Sequence, residues 1–169
     1  MSVDAVARDR LTPRVLAVLV MSLAVATIAG AFAFQAAGIL PCELCLKERD
    51  PYYAGMVLAA LTVLVARRRR GPLLAACFAT LALLFLGSAA VGAYHAGVEW
   101  GFWPGPSDCT GSLDHTNSMG DFMKQLQTVR VVRCDAVAIR ILGLSLAGWN
   151  AVVSLVIAGV AGAGLRRAV

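Results

Sequence analysis

Apolar residues in this chain form four long, nearly uncharged stretches, each bounded by charged residues. A helix that spans a membrane needs roughly 20 apolar residues. We therefore predict four spanning helices, at about 15–39, 51–66, 72–97 and 141–165. The second has only 16 residues between its flanking charges, which rise about 24 Å as an α-helix. We expect Tyr52 and Tyr53 to anchor it at the interface.

Composition supports a membrane protein and a single domain. The 169 residues are 59% hydrophobic and 15% charged, whereas a soluble domain carries about 25% charged residues. A cleaved signal peptide is an alternative for the first stretch, but its apolar run exceeds the roughly 7 to 15 residues of a signal core. The predicted fold class is all-α: an integral membrane four-helix bundle with a long outer loop.

The distribution of charge predicts how the chain lies in the lipid bilayer. Four spans place residues 1–14, 67–71 and 166–169 on one side, and the loops 40–50 and 98–140 on the other. The first side holds nine arginines and two acids, and the second holds six basic and eight acidic residues. The positive-inside rule then makes the termini cytoplasmic and places both loops on the outer side of the membrane. The arginine run at 67–70 is interpreted as a topological signal, and no nucleic-acid partner is expected.

Four of the five cysteines fall in the predicted outer loops. Cys42 and Cys45 lie in the short loop, and Cys109 and Cys134 lie in the long one. Disulfides form and persist in the oxidising compartment outside the cytoplasm. Cys77 lies within the third span, near its cytoplasmic end, and is interpreted as a packing residue.

The Cys42–Cys45 pair could be a redox couple, half of a zinc site or a structural bridge. A four-sulfur zinc site would need a second closely spaced pair, but 24 residues separate Cys109 from Cys134, so we predict no metal. An inert disulfide is credible for Cys109 and Cys134, since closing that loop would stabilise the protein by about 3 kcal/mol. A bridge over two residues removes little loop entropy, is strained, and is typical of redox-active pairs.

Cationic features surround the Cys-x-x-Cys pair. Residues 50–51, Asp-Pro, predict the start of the second long helix, whose positive dipole end would lie near the cysteines. Arg49 and Lys47 add positive charge. Both features stabilise a thiolate, the reactive form of cysteine, whereas Glu43 and Glu48 oppose it.

The long outer loop predicts turns followed by a short helix. Residues 103–106, Trp-Pro-Gly-Pro, exclude regular structure. Apolar residues then recur at helical spacing after Ser118, which predicts a short amphipathic helix that lies on the membrane or packs on the bundle end. This helix would hold Cys134 near the membrane and leave Cys109 on a glycine-flanked stretch that another protein's thiol can reach.

Several strings together resemble one known family. They are "PCELC" at 41–45 followed by Glu48 and Arg49, "PYY" at 51–53, "YHAGVEWGFWPGPSDC" ending at Cys109, "RCD" around Cys134 and "LGLSLAGWN" at 142–150. Over nearly its whole length the chain resembles the disulfide bond formation protein B (DsbB) family of bacterial inner-membrane thiol oxidases. Cys-x-x-Cys alone would be a weak signal, but its combination with the second cysteine pair and the flanking strings is specific.

The resemblance implies an electron path through four cysteines. A thiolate of a periplasmic thioredoxin-like oxidase, DsbA, attacks a Cys109–Cys134 disulfide at Cys109. Cys134 then attacks the Cys42–Cys45 disulfide at Cys42. Cys45 leaves as a thiolate, faces the ring of a membrane quinone and donates through a charge-transfer adduct.

The resemblance also implies a quinone site, with Arg49 stabilising the thiolate and the reduced quinone electrostatically. His95 closes the third span near the outer surface, and we expect either a hydrogen bond to the quinone, a proton role, or an ordinary interfacial histidine. Whether the quinone is ubiquinone or menaquinone is left open.

Two other functions remain as alternatives. A vitamin K epoxide reductase-like enzyme also combines four membrane helices, Cys-x-x-Cys and quinone, but its active pair lies in a later helix. A tetraspan scaffold or transporter with structural disulfides would show no thiol chemistry.

Overall fold

The computed structural model describes residues 11–68, 71–106, 118–120, 123 and 132–169. The described part of the chain is mostly helical, with one short antiparallel ribbon. Its elements are α1 (Pro13–Ala36), α2 (Glu43–Lys47), α3 (Asp50–Arg68), α4 (Pro72–Glu99), β1 (Arg140–Ile141), β2 (Leu144–Ser145) and α5 (Leu146–Ala168).

Local sequence explains where the long helices begin. The Thr12 side chain accepts a hydrogen bond from the Val15 backbone N–H at 3.3 Å, with proline at the next position, and a proline likewise opens α4. Both arrangements favour a helix start. The stretch expected to span from residue 141 begins its helix at Leu146, because β1 and β2 form a hairpin first. Ser145 then caps α5 by accepting from the Gly148 N–H at 3.2 Å.

The four long helices pack side by side. Helix α1 contacts α3 and α5, and α4 contacts the same two helices. Large side chains such as Phe78, Phe85 and Ile157 fill the space between them. Helices α4 and α5 approach each other closely at Gly92, where an added Cβ would lie 2.9 Å from the Ala151 backbone nitrogen. Small residues allow such close contacts between membrane helices.

The outward faces of the helices are apolar. Leu83 is 70% exposed and Val57 is 65% exposed, as expected for side chains that face lipid rather than water. Within the described residues, α1, α4 and α5 are long and apolar enough to cross a membrane. The chain is therefore an all-α membrane protein, and α3 as a fourth span stays a prediction.

Two further sequence expectations have different outcomes. Tyr52 was expected to anchor α3 at the interface together with Tyr53. That interpretation is wrong for Tyr52, which is 1% exposed and packs in the core, whereas Tyr53 is 40% exposed. The amphipathic helix expected after Ser118 falls largely outside the described residues and stays a prediction.

Candidate active site

The short helix α2 places the two nearby cysteines side by side. Cys42 is its N-cap residue, and its Sγ accepts a hydrogen bond from the Cys45 backbone N–H at 3.4 Å. Both cysteines are free thiols, and their Sγ atoms lie 3.1 Å apart. A disulfide bond is about 2.05 Å long, so a small movement would join them.

A buried histidine and a buried carboxyl group adjoin Cys42. The Cys42 Sγ lies 3.6 Å from His95 Nε2, and His95 Nδ1 lies 2.7 Å from Glu48 Oε1. The three residues are 5%, 1% and 7% exposed, respectively. His95 comes from the last turns of α4, and Glu48 from the turn between α2 and α3. The arrangement is a continuous hydrogen-bonded row from carboxyl group to thiol.

The pKa values of the two thiols in the reduced pair are shifted in opposite directions. The hydrogen bond between the two thiols lowers the pKa of Cys42 from 9.0 to about 4, against the effect of burial and with the support of His95. The same bond, together with burial, raises the pKa of Cys45. Burial raises the pKa of Glu48, and its bond to His95 opposes the rise.

Cys134 belongs to the same end of the molecule. It is 1% exposed and forms one buried cluster with Cys42 and Leu44, against which Cys45 and Val132 pack. It is disulfide-bonded. The sequence placed these three cysteines in two loops, and the structure brings them together. Cys109 lies outside the described residues, so its pairing with Cys134 stays a prediction.

Cys77 lies far from this cluster. It is a free, half-buried thiol near the start of α4, and His95 follows it 18 positions later in the same helix. At 1.5 Å per residue, this is about 27 Å along the helix axis. The expectation that Cys77 takes no part in the cysteine relay agrees with this position.

A cavity of about 270 Å³ lies between α1, α3 and α5. This volume lies just below the range of about 300 to 1,000 Å³ that is usual for ligand pockets, so the cavity has room only for a small ligand group. Apolar residues of α1 form one wall, and polar groups gather at the end near Cys45. Those polar and aromatic lining residues are Cys45, Glu48, Arg49, Tyr52, Trp149 and Asn150.

Arg49 is the positively charged side chain among the described residues that line this cavity. Its guanidinium donates to Gln35 Oε1 at 3.0 Å and lies 5.1 Å from the centre of the Phe32 ring. Among the described residues, no carboxylate forms an ion pair with it. Gln35 holds the guanidinium at the cavity wall through this bond. Arg49 therefore keeps N–H donors available for an oxygen atom of a bound ring.

A second, smaller cavity lies on the other side of Cys45. It measures about 80 Å³ and is lined by Cys42, Cys45, Arg49, Glu99 and Val132 among others. The Glu99 Oε2 atom is buried and has no hydrogen-bond partner within the described part of the chain. Cys45 and Arg49 line both cavities, whereas Cys42 lines only the smaller one. Cys45 is thus the sulfur that faces the larger cavity.

His95 is placed differently from the quinone ligand that we considered. It is not among the described residues that line the larger cavity, and its two ring nitrogens face Cys42 and Glu48. Sequence reasoning treated Glu48 only as a charge opposing a thiolate. The spacing of 47 residues between Glu48 and His95 gave no signal that they meet.

A buried polar network supports the inner wall of the larger cavity. Tyr52 donates to Asn150 Oδ1 at 2.7 Å, and its hydroxyl lies 2.8 Å from Ser154 Oγ. Ser154 in turn lies 3.0 Å from Ser88 Oγ. The network ties α3 to α5 and α4, and Trp149 donates to the Ile141 carbonyl at 2.9 Å.

The thiol pair and His95 also have the composition of a metal site. One ligand atom from each of Cys42, Cys45 and His95 lies within 4.8 Å of the others. A structural zinc site has four protein ligands, and the described residues bring only these three together.

Comparison with known proteins identifies the family. The family model for "Disulfide bond formation protein DsbB" matches residues 13–164, which is most of the chain. The chain belongs to the DsbB family. No curated protein and no solved structure matches it. The resemblance drawn from the cysteine strings is confirmed, and membership makes the protein a membrane thiol oxidoreductase that acts in disulfide bond formation. In a protein of the DsbB family, thiol–disulfide exchange is the chemistry expected of a Cys-x-x-Cys pair such as Cys42 and Cys45.

Proposed function

We propose that this protein reoxidises a soluble, thioredoxin-like dithiol oxidase of the DsbA type and passes two electrons to membrane quinone. It would act in the bacterial inner membrane as a four-helix bundle, with both cysteine loops periplasmic and both termini cytoplasmic. The proposal combines the family membership with the arrangement of the sulfur atoms.

One observation carries the proposal: one thiol of the Cys-x-x-Cys pair lies in the cluster with Cys134, and the other lines the larger cavity. Cys42 is buried in one cluster with Cys134, and Cys45 lines the cavity between α1, α3 and α5. Electrons that arrive from the long loop therefore meet Cys42 first. They leave toward the cavity from Cys45.

The cysteine steps follow from this order. The partner's thiolate attacks the Cys109–Cys134 disulfide at Cys109, which releases the Cys134 thiolate. That thiolate attacks the Cys42–Cys45 disulfide at Cys42, and the Cys45 thiolate leaves. Each step breaks one S–S bond and forms another, so the electron pair moves inward without a free intermediate oxidant.

The larger cavity fits a quinone headgroup by its size and its donor set. A bound quinone supplies a two-electron, two-proton sink. Arg49 would bind an oxygen atom of the ring, since its guanidinium lines the cavity without a carboxylate partner among the described residues. Such a fixed donor stabilises charge that develops on oxygen. Apolar side chains of α1 would exclude water from the ring.

The test is reduction of a soluble quinone by purified protein in detergent. We expect reduction only when reduced DsbA-type partner is added, with loss of activity in Cys45→Ser. Cys77→Ser is the matched control and should keep its rate, because Cys77 lies about 27 Å from His95 along α4. An inactive wild-type protein, or a Cys45→Ser variant with full activity, would contradict the proposal. The first of these outcomes would favour a scaffold with structural disulfides.

A further inference from the structure

We propose that the reduced form of this protein binds a thiophilic divalent cation of the Zn²⁺ type through Cys42, Cys45 and His95. Glu48 positions the imidazole, and a water molecule completes the tetrahedron. The oxidised form does not bind the ion in this way, because its disulfide offers no thiolate. Metal binding is independent of the proposed function, and only its consequence for electron transfer rests on that function.

The three ligand atoms have the chemistry that zinc prefers. One ligand atom from each of Cys42, Cys45 and His95 lies within 4.8 Å of the others. Two cysteines and one histidine, with the fourth position open to water, are the protein ligands of one type of catalytic zinc centre. The four-sulfur site that the cysteine spacing excludes is a different arrangement, because it uses no histidine.

The distances between these atoms are close to those of a zinc site. Bonds of about 2.3 Å to sulfur and about 2.0 to 2.1 Å to nitrogen place tetrahedral S and N ligands about 3.6 Å apart, and two S ligands about 3.8 Å apart. Cys42 Sγ lies 3.6 Å from His95 Nε2. The two Sγ atoms lie 3.1 Å apart, so they must separate by about 0.7 Å. Cys45 is only partly buried, so a change in its side-chain torsion supplies this movement.

Glu48 prepares His95 as a metal ligand. Its Oε1 lies 2.7 Å from His95 Nδ1, so an ionised Glu48 accepts the Nδ1–H and leaves the Nε2 lone pair on the side of Cys42. Histidines that bind metal almost always donate their other ring N–H to a carboxylate, a carbonyl or water, and this partner orients the ring. Glu48 acts on the ion through His95 and is a positioning residue.

The smaller cavity supplies an entry path and room for the fourth ligand. Cys42 and Cys45 both line its volume of about 80 Å³, and a water molecule takes up about 30 Å³ in the liquid. Glu99 lines the same cavity, and its buried Oε2 has no hydrogen-bond partner within the described part of the chain. A metal-bound water would donate to this acceptor, which is otherwise costly to leave unpaired.

The charged groups around the site tolerate an added cation. Binding releases two protons, because both thiols ionise, and the two thiolates neutralise the ion. Glu48 and Glu99 add negative charge near His95. Arg49 and Arg133 oppose the cation, because they line the smaller cavity. The acidic groups therefore offset the two arginines.

A bound ion would trap the reduced state of the pair. In the metal site the two sulfurs stand about 3.8 Å apart, whereas a disulfide bond is about 2.05 Å long. Both sulfur lone pairs that would form the new bond or reach the acceptor are held by the ion. Cys45 therefore donates no electrons toward the larger cavity until the metal leaves.

The experiment titrates the full chain in detergent with Co²⁺, which replaces Zn²⁺ and absorbs strongly in the visible range in a tetrahedral site. The background carries Cys77→Ser, Cys109→Ser and Cys134→Ser, so Cys42 and Cys45 are the only cysteines. The reduced protein should bind one Co²⁺ per chain with tetrahedral absorbance, and Zn²⁺ should displace it. The oxidised protein should show no such absorbance. Mg²⁺, which prefers oxygen ligands, should displace nothing.

Two variants test the histidine and the carboxylate that orients it. Glu48→Gln should weaken Co²⁺ binding by about 10- to 100-fold and keep the tetrahedral absorbance. His95→Ala removes a ligand and should weaken binding further. Glu43→Gln is the matched control, because Glu43 is a neighbouring, half-exposed carboxylate that pairs with Lys47 at 3.9 Å. It should leave the affinity unchanged.

A second measurement mixes the reduced protein with quinone, with and without Zn²⁺. We expect Zn²⁺ to block quinone reduction and a chelator to restore it. Quinone reduction at the full rate by metal-loaded protein would overturn the trapping of the reduced state.

The results that contradict the metal site are specific. Equal Co²⁺ affinity in oxidised and reduced protein would overturn it, because the ion would then sit on groups other than the thiolates. Unchanged affinity in His95→Ala would also overturn it. If His95→Ala fails to fold by circular dichroism, unchanged affinity in Glu48→Gln overturns it instead. Neither partner nor quinone enters the Co²⁺ titration, so its failure is distinct from failure of the proposed function.

Discussion

Replacing Arg49 by methionine tests the electrostatic part of the proposed quinone site. Arg49→Met keeps much of the length and apolar surface of the side chain but removes the charge and its N–H donors. It also breaks the 3.0 Å bond to Gln35 Oε1. The cavity walls formed by α1 and α5 stay in place, so a ring can still bind.

The expected loss of rate in Arg49→Met follows from Coulomb's law and from how exposed Arg49 is to solvent. Two unit charges 4 Å apart interact by about 4 kcal/mol at an effective dielectric constant near 20. Arg49 is only partly buried, so solvent screens part of this energy and about 1.4 to 2.8 kcal/mol should remain. Electron transfer to quinone should therefore slow by about 10- to 100-fold.

Stopped-flow kinetics separate the two half-reactions. One mixes reduced DsbA-type partner with oxidised protein and follows thiol exchange, and the other mixes reduced protein with quinone. Exchange should change little, because it takes place at Cys109 and Cys134 rather than in the larger cavity. Lys47→Met is the matched control, since Lys47 is a neighbouring cation that is not among the described lining residues of either cavity.

Two results would refute this reasoning about Arg49. Equal slowing of both half-reactions would show that Arg49 affects the fold or the partner surface rather than the acceptor. Equal effects of Arg49→Met and Lys47→Met would show that only the general positive charge of the loop matters.

Three further predictions concern stability, each measured by thermal unfolding in detergent. Tyr52→Phe should lower the free energy of unfolding by about 1 to 3 kcal/mol, because it leaves buried hydrogen-bonding groups unpaired. Tyr53→Phe should lower it little. Equal unfolding temperatures for the two variants would contradict the hydrogen-bond network. Gly92→Ala should cost about 1 to 3 kcal/mol, because its Cβ would lie 2.9 Å from backbone. Gly87→Ala, with nothing within 4 Å, should be neutral or stabilising, and the reverse order would refute the helix contact. The pKa of Cys42 in the folded protein lies near 4, below its ordinary value of 9.0. The reduced protein should therefore gain stability as the pH rises between these two values, and lose it as the pH falls through 4. A Cys42→Ser variant whose stability has the same pH slope would contradict this prediction.

The long helices and the family could be predicted because their signals are local. Uninterrupted apolar stretches fix the number of long helices, and the cysteine strings need no knowledge of the fold. The start of α5 was misplaced, because residues 141–145 are uncharged and continue the apolar pattern of the helix that follows. Only the capping bond of Ser145 to Gly148 shows where the helix begins.

The inner arrangement of the site could not be predicted, because it depends on contacts between distant residues. Tyr52 has the sequence context of an interfacial anchor, yet its hydroxyl meets Asn150, 98 positions later. Glu48 meets His95, 47 positions later. Charge and spacing along the chain do not show which helix faces meet. Placement of Cys45 at the cavity and of His95 beside Cys42 therefore required the structure.

Thiol trapping on membranes tests the central claim most directly. Membranes with and without quinone receive reduced partner, are quenched with acid, and are treated with a reagent that adds mass to each free thiol. With quinone, Cys42 and Cys45 should return to the disulfide and resist the reagent. Without quinone, both should accumulate as free thiols in wild-type protein. A Cys42–Cys45 bridge that stays closed without quinone would contradict the account.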